Sequence, residues 1–384
     1  MCAKAALDEM DIPQPDKLDG VPHPRDTRRL FGQAPAEAAF VEALNSDRLH
    51  HAWLIRGPRG IGKATLSWRI ARTLLTTNPV DAGDMFGDPA PIASLDVDPD
   101  HPVARRMAAG SEPRLALVRI PFDLKTEKLR TEITVDEIRK LKTAFTFAAT
   151  DGGRRVVIID SADQMNVAAA NALLKLLEEP PENTTLLLVT HQPSRLLPTI
   201  RSRCRELRCT PLSPDDLGAA LAQTGAELTA PADQLAALAT GSVGDSLRYD
   251  QGGGLTIYTA LISLWGQSNT ADRPATLRLA EACAGPANKD RFDLTLTMLG
   301  LLMARMAKAG VTGAAGPEAC PNEAHILARL CPTPKAAQSY ATLQQDLSAR
   351  AAHARAVNLD PVALILDMVL KIDQTVAQQA KRVP

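Results

Sequence analysis

The feature that most limits what this chain can fold into is a seven-residue loop, Gly57-Pro58-Arg59-Gly60-Ile61-Gly62-Lys63. It matches G-x-x-x-x-G-K. It follows a short apolar run, Ala52 to Ile55, and precedes a helical pattern from Ala64 to Leu75. A strand, a glycine loop and a helix in that order form a phosphate cradle. The glycines let backbone N–H groups approach phosphate oxygens, and the helix N-terminus adds the positive end of its dipole. Lys63 is placed to reach the β- and γ-phosphates. The next residue is Ala64, where Ser or Thr normally ligates Mg²⁺. Thr65 cannot take over, because a helix turns by roughly 100° per residue.

A cradle of this kind needs a carboxylate at the end of a neighbouring strand. Val156-Val157-Ile158-Ile159 is apolar throughout, as in the middle of a parallel sheet, and ends in Asp160. Asp160 can help position Mg²⁺. Ser161 follows it, and a hydroxyl with no base nearby is a poor proton acceptor. Ala64 and Ser161 together argue against turnover. Weak binding of ATP or ADP is expected, with Gly57, Gly60, Gly62, Lys63 and Asp160 as the nucleotide-binding residues.

Strands alternate with helices across residues 31–210, which predicts an α/β P-loop domain with a parallel sheet. Pro35 to Leu44 reads as a helix, Leu115 to Ile120 and Thr185 to Thr190 as strands, and Ala168 to Leu177 as a helix ending at Pro180-Pro181. Thr134 and Glu137 form a capping box for a helix through Phe145. Residues 77–112, rich in Pro and Asp, read as an exposed acidic loop or insertion. Residues 1–30 read as a loose polar arm. Beyond Cys209 the strand patterns stop. A small helical module spans 211–250: a first helix with Ser213 as N-cap and Pro214 at N1, a second over Ala232 to Ala239 closed by Gly241, and a third from near Val243. Gln251 to Gly254 reads as a hinge. Residues 255–384 read as an all-α domain, ending in a helix whose Leu364, Ile365, Met368, Val369 and Ile372 form a stripe.

Composition narrows the function. At 384 residues, two to three domains are expected. Apolar residues make up 45% of the chain but aromatics only 3%, so the cores must be built from Ala, Leu, Ile and Val. A net charge of −1 gives no global field for nucleic acid. Six cysteines without C-x-x-C spacing suggest reduced thiols in the cytoplasm. The acidic N-terminus does not read as a signal peptide, and no stretch reads as long enough to span a membrane.

Asn171 to Pro181, reading NALLKLLEEPP, resembles the signature of the bacterial DNA polymerase clamp-loader family of AAA+ proteins. So does Leu197 to Cys204, which contains Ser202-Arg203-Cys204. Phe31-Gly32-Gln33, His50-His51-Ala52 and the phosphate loop align in the same order. The resemblance covers roughly residues 30–250. It implies an AAA+ core, a three-helix lid and a helical collar holding a hetero-pentameric ring. In that ring, gamma/tau and delta subunits would be the partners, and a sliding clamp would be opened and closed on primed DNA. Ser161 in place of a Glu, Gly244 in place of a sensor Arg, and His191 after Thr190 point to the defective, delta-prime kind of member. Arg203 is then implied as an arginine finger acting in trans. Relatives with a four-Cys zinc module carry it where this chain has 77–112, which lacks cysteine, so no zinc is expected.

Arg203 also reads as an ordinary surface residue. The basic run Arg201, Arg203, Arg205 and Arg208 reads either as a DNA patch or as a solvated face. The C-terminal stripe reads as core or as subunit interface. The alternative function is a catalytically active P-loop ATPase, either a gamma/tau-type loader motor or a DNA-repair ATPase.

Overall fold

The structure, a computed structural model, describes residues 13–46, 49–77, 91–147, 153–314, 316–357 and 359–380. The chain divides into two compact units. The first runs to Ala226 and also takes in Ser242–Gly244. The second holds Glu227–Gly241 and everything from Asp245 onward.

In the first unit, helix α1 (Ala34–Asn45) leads to β1 (Ala52–Arg56), the glycine loop and α2 (Lys63–Thr76). Then come α3 (Pro102–Ala108), β2 (Leu115–Arg119), a small antiparallel hairpin of β3 (Phe122–Asp123) and β4 (Lys128–Leu129), and α4 (Val135–Phe147). The unit continues with β5 (Arg155–Asp160), α5 (Val167–Glu178), β6 (Thr184–Thr190), α6 (Pro198–Arg201), β7 (Arg205–Arg208) and α7 (Pro214–Thr224). Five strands pair in parallel in the order β2-β5-β6-β1-β7, the α/β P-loop architecture expected.

Val156 to Ile159 and Leu186 to Val189 are buried on both faces, which is why these segments read as unbroken apolar runs. Leu173, Leu177 and Ile200 close one face of the sheet. Asn166 caps α5 by accepting from the Ala169 N–H at 2.9 Å, and Ser213 caps α7 by accepting from Asp216 at 3.2 Å.

Two expectations for this unit change. Residues 13–30, expected as part of a loose arm, make specific buried contacts; the arm's first twelve residues lie outside the described residues. The 77–112 segment, where 78–90 lie outside them too, carries α3 and is anchored by the buried Leu95.

The second unit is all helical: α8 (Ala232–Ala239), α9 (Val243–Gln251), α10 (Gly254–Ser263), α11 (Arg273–Glu281), α12 (Lys289–Thr312), α13 (Glu323–Leu330), α14 (Pro334–Val357) and α15 (Pro361–Ala380). Of the three helices expected together over 211–250, α7 packs with the first unit and α8 with the second. Thr240, in left-handed backbone, ends α8 one residue before the expected Gly241. The whole C-terminal stripe, Leu364, Ile365, Met368, Val369 and Ile372, is core, together with Leu299, Leu302, Tyr340 and Trp265. The expectation that no stretch could span a membrane is corrected. Pro286–Thr312 is long and apolar enough by length and composition, with a mean hydropathy of 1.3. Half of it is buried, and Met298, Leu299, Leu302 and Met306 form the middle of the helical core, which accounts for its composition.

Inside that core sits a charged network. The Glu323 carboxylate is fully buried and accepts from Arg305 Nε at 2.5 Å, Tyr258 O–H at 2.7 Å and the Ala319 N–H at 2.6 Å. Arg305 uses its remaining nitrogens on the carbonyls of Ala237 and Pro317, so every charged group in the network is satisfied.

Candidate nucleotide site

The C-terminal ends of β1, β5 and β6 lie side by side, because Arg56 is in register with Thr190 and Asp160 with Val189. This brings the glycine loop after β1, Asp160 at the end of β5 and Thr190 at the end of β6 to one edge of the sheet. The loop depends on glycine at two places. Gly57 has φ +152°, and a Cβ there would lie 2.5 Å from the Cys209 carbonyl oxygen. Gly60 has φ +74°, and a Cβ there would run into the Ser242 side chain and the Gly244 backbone. The loop ends at Gly62, and Lys63 begins α2, whose N-terminus is thus aimed at the cradle.

Lys63 is buried and donates to the Pro58 carbonyl. Burial pulls its ammonium down to about 8, against the opposing pull of Cys209, Asp160 and Asp163. Asp160 is 9% exposed. Burial and the nearby Asp16 carboxylate push it up to about 6, while a hydrogen bond from Ser161 and the charges of Lys63 and His23 hold it back. Thr190 Oγ1 is buried and has no hydrogen-bond partner among the described residues. A cradle of backbone, a buried lysine and an orphaned hydroxyl between two strand ends fits a bound phosphate chain. The cation side fits poorly: Ala64 has no oxygen, and Thr65 is buried off to the side in α2.

Sequence reasoning placed His191 after Thr190 but missed its contact with Ser161. Ser161 Oγ donates to Asp160 Oδ1 at 3.1 Å and lies 3.0 Å from His191 Nε2, while the His191 N–H donates to Asp163 at 3.0 Å. The expectation that Ser161 has no base nearby is therefore corrected. Ser161 and His191 are 30 residues apart and meet only because β5 and β6 are adjacent. A second missed contact closes the loop from behind: Ser242 Oγ donates to the Arg59 carbonyl at 2.9 Å, and the Gly244 N–H donates to the Gly60 carbonyl at 3.1 Å. The glycine at 244, inside the first turn of a helix, was the available signal.

Arg203 is not with these groups. β7 pairs with β1 so that Arg205 faces Trp53, and Arg203 precedes β7. It therefore lies at the opposite end of the sheet from the glycine loop, with β1 spanning roughly 16 Å between them. Its guanidinium pairs with Glu178 at 2.9 Å and donates to the Thr199 carbonyl at 3.0 Å, remaining 38% exposed. Of the basic run, Arg205 stacks over Trp53 at 5.1 Å, while Arg201 and Arg208 are exposed.

Residues 32–213, the stretch that carries this sheet and loop, match the family described as "DNA polymerase III, delta subunit". Over this stretch the chain resembles DNA polymerase III delta-prime subunits. The chain is 41% identical over 176 residues to DNA polymerase III subunit delta' of Pseudomonas aeruginosa, which is 46% of this chain and 48% of that one. It is 34% identical over 219 residues to the Escherichia coli K12 subunit of that name, covering 56% of this chain and 58% of that one. A gamma/tau subunit from Mycobacterium tuberculosis H37Rv is 30% identical over 205 residues, covering 52% and 31%. The chain thus spans about half the length of the delta-prime relatives it matches.

Proposed function

We propose that this chain is the delta-prime-type subunit of a bacterial DNA polymerase III clamp loader. It supports ATP-driven loading of the sliding clamp onto primed DNA without hydrolysing ATP itself. It works in the cytoplasm, in a hetero-pentameric ring with gamma/tau and delta subunits. Residues 211–250 serve as a lid and 255–384 as the collar that joins the ring.

The observation that supports this reading is a domain similar to delta-prime subunits whose phosphate loop is formed while position 64, where a cation-binding hydroxyl normally stands, is Ala. Gly57, Gly60, Gly62 and Lys63 hold phosphate, and Asp160 faces the cation position. A bound ATP or ADP would supply the phosphate charge that these groups meet. Ala64 offers no ligand to a cation, and Ser161 holds Asp160 rather than a water. Arg203, far from its own loop, is offered to the adjacent motor subunit. There a planar, permanently charged guanidinium stabilises the transferring phosphoryl group.

Two measurements test this. Mixed with gamma/tau and delta, the chain is expected to co-elute in one ring on size exclusion, and the ring to load a clamp on primed DNA only when the chain is present. The isolated chain is expected to release no labelled phosphate from ATP. One observation favours the other reading, an active ATPase: His191 stands 3.0 Å from Ser161 and is a base. DNA-stimulated phosphate release that disappears in His191→Ala would establish that reading and overturn the scaffold.

A further inference from the structure

Residues 14–30 precede the stretch matched to the family, yet they touch both halves of the nucleotide site. At one end the Asp16 carboxylate, 5% exposed, takes Arg119 Nη1 at 2.7 Å and lies 2.9 Å from His23 Nε2. Gln14 Oε1 also accepts from Arg119, at 3.1 Å. Arg119 is the last residue of β2 and is in register with Asp160 on β5. Burial pushes the Asp16 carboxyl up, but the hydrogen bond from His23 and the charges of His23 and Arg119 outweigh it and hold the carboxyl below its ordinary range. Next, His23 packs edge-on against Trp68 of α2, with ring centres 5.8 Å apart. Then α2 grips the segment's backbone twice: Arg72 donates to the Arg25 carbonyl at 2.6 Å, and Arg69 to the Arg28 carbonyl at 2.9 Å. Finally, Arg29 and Gln223 of α7 exchange two hydrogen bonds, at 3.2 and 2.9 Å, and Leu30 lies against Gly62.

We propose that residues 14–30 are a strap that fixes the phosphate-loop helix to the strand pair carrying Asp160, with Asp16 as its clasp, and so sets how well the loop holds a nucleotide. The physical reason is where its two ends attach. Lys63 rides on α2 and Asp160 on β5. They must keep a fixed separation to grip the same phosphate chain. The strap bonds to α2 over one full turn, at residues 68, 69 and 72, and to the strand beside Asp160 through Arg119. Among the described residues, Asp16 is the carboxylate that joins Arg119 to His23. Without its charge, Arg119 loses an ionic partner and His23 loses the group that orients it over Trp68. Asp16 is a positioning residue, acting on the site through β2 and α2.

The inference rests on the nucleotide reading of the loop, and the test separates the two. Full-length Asp16→Asn is compared with the unaltered chain by hydrogen exchange and by titration with a fluorescent ADP analogue. A core variant on α5, Leu173→Ala, controls for general loss of stability. In Asp16→Asn, amides of 63–76 and 115–119 are expected to exchange at least about tenfold faster than in Leu173→Ala. The analogue is expected to bind several-fold more weakly, with Asp16→Glu restoring part of both. Should Asp16→Asn fail to fold, His23→Gln opens the same clasp from its other side. Exchange in these segments no faster than in Leu173→Ala would overturn the strap. Faster exchange with unchanged affinity would overturn its link to the site. An unaltered chain that binds no analogue would sink the nucleotide reading and the link with it, while exchange would still decide the strap.

Discussion

A carboxyl buried as deeply as Asp160 costs stability whenever it is charged. Its pKa is raised from 3.8 to about 6 in the folded chain. The sign follows from linkage. Below pH 4 the group is protonated folded and unfolded, and there is no burden. Between 4 and 6 the unfolded chain releases the proton and the folded one retains it, so stability falls. By pH 8 the full loss, on the order of 3 kcal/mol, is present. Asp160→Asn still accepts from Ser161 and removes the charge. It is expected to raise the urea midpoint at pH 8 and to leave it nearly unchanged at pH 4, followed by Trp53 and Trp68 fluorescence. An equal shift at both values would show that packing, not charge, is what changed. Ala64→Thr tests the same side of the site. It returns a hydroxyl next to Lys63 and is expected to make analogue binding Mg²⁺-dependent without producing turnover, since Ser161 stays engaged with Asp160 and His191. Turnover by this single variant would refute the second defect. At this scale, the sequence disclosed those residues that belong to a local pattern: the glycine loop, Lys63, and Asp160 at the end of an apolar run. It concealed His191 beside Ser161 and Asp16 beside Arg119. Those pairs are made by strand order and by a segment with no periodicity, and nothing in residue spacing encodes either.

Among elements, the parallel strands and their helices were readable because each is apolar in the period its geometry demands. Ser213 and Pro214 marked the start of α7 for the same local reason. What could not be read was which body a helix packs on. Residues 242–244 illustrate this: they sit on the phosphate loop, while the chain on both sides of them belongs to the helical unit. Gly60→Ala places a methyl within 2.9 Å of the Gly244 backbone and against the Ser242 side chain, at a positive φ, and is expected to destabilise the first unit by about 1–3 kcal/mol. Differential unfolding of the first unit, read by Trp53 and Trp68, checks this; no loss would mean that the loop relaxes freely. The Arg305–Glu323–Tyr258 network makes a contrasting prediction for the helical unit. Glu323→Gln leaves Arg305 buried without its counter-charge and is expected to cost about 3–5 kcal/mol. Replacing both partners, as in Arg305→Met with Glu323→Leu, is expected to cost much less. Calorimetry of the two variants distinguishes a needed pair from a tolerated one, and equal losses would contradict the account.

At the scale of the whole molecule, the proposed function is a division of labour between subunits. On the function proposed above, the chain keeps a nucleotide cradle without turnover and offers Arg203 to a neighbour. Arg203 sits at the far end of the sheet from its own loop, 38% exposed, paired with Glu178 and bonded to the Thr199 carbonyl. A surface ion pair of this kind contributes little and is easily exchanged for a phosphate. If the collar reading is right, removal of residues 255–384 is expected to abolish ring assembly on size exclusion. Assembly by the remaining fragment would place the ring contacts elsewhere. The most direct measurement is steady-state ATP hydrolysis by reconstituted rings carrying Arg203→Ala, with clamp and primed DNA present. The expected result is an intact ring in which hydrolysis at the adjacent motor site falls by about 10³-fold or more, and Arg203→Lys recovers little of it. An unchanged rate at that site would contradict the account and leave Arg203 an ordinary surface residue.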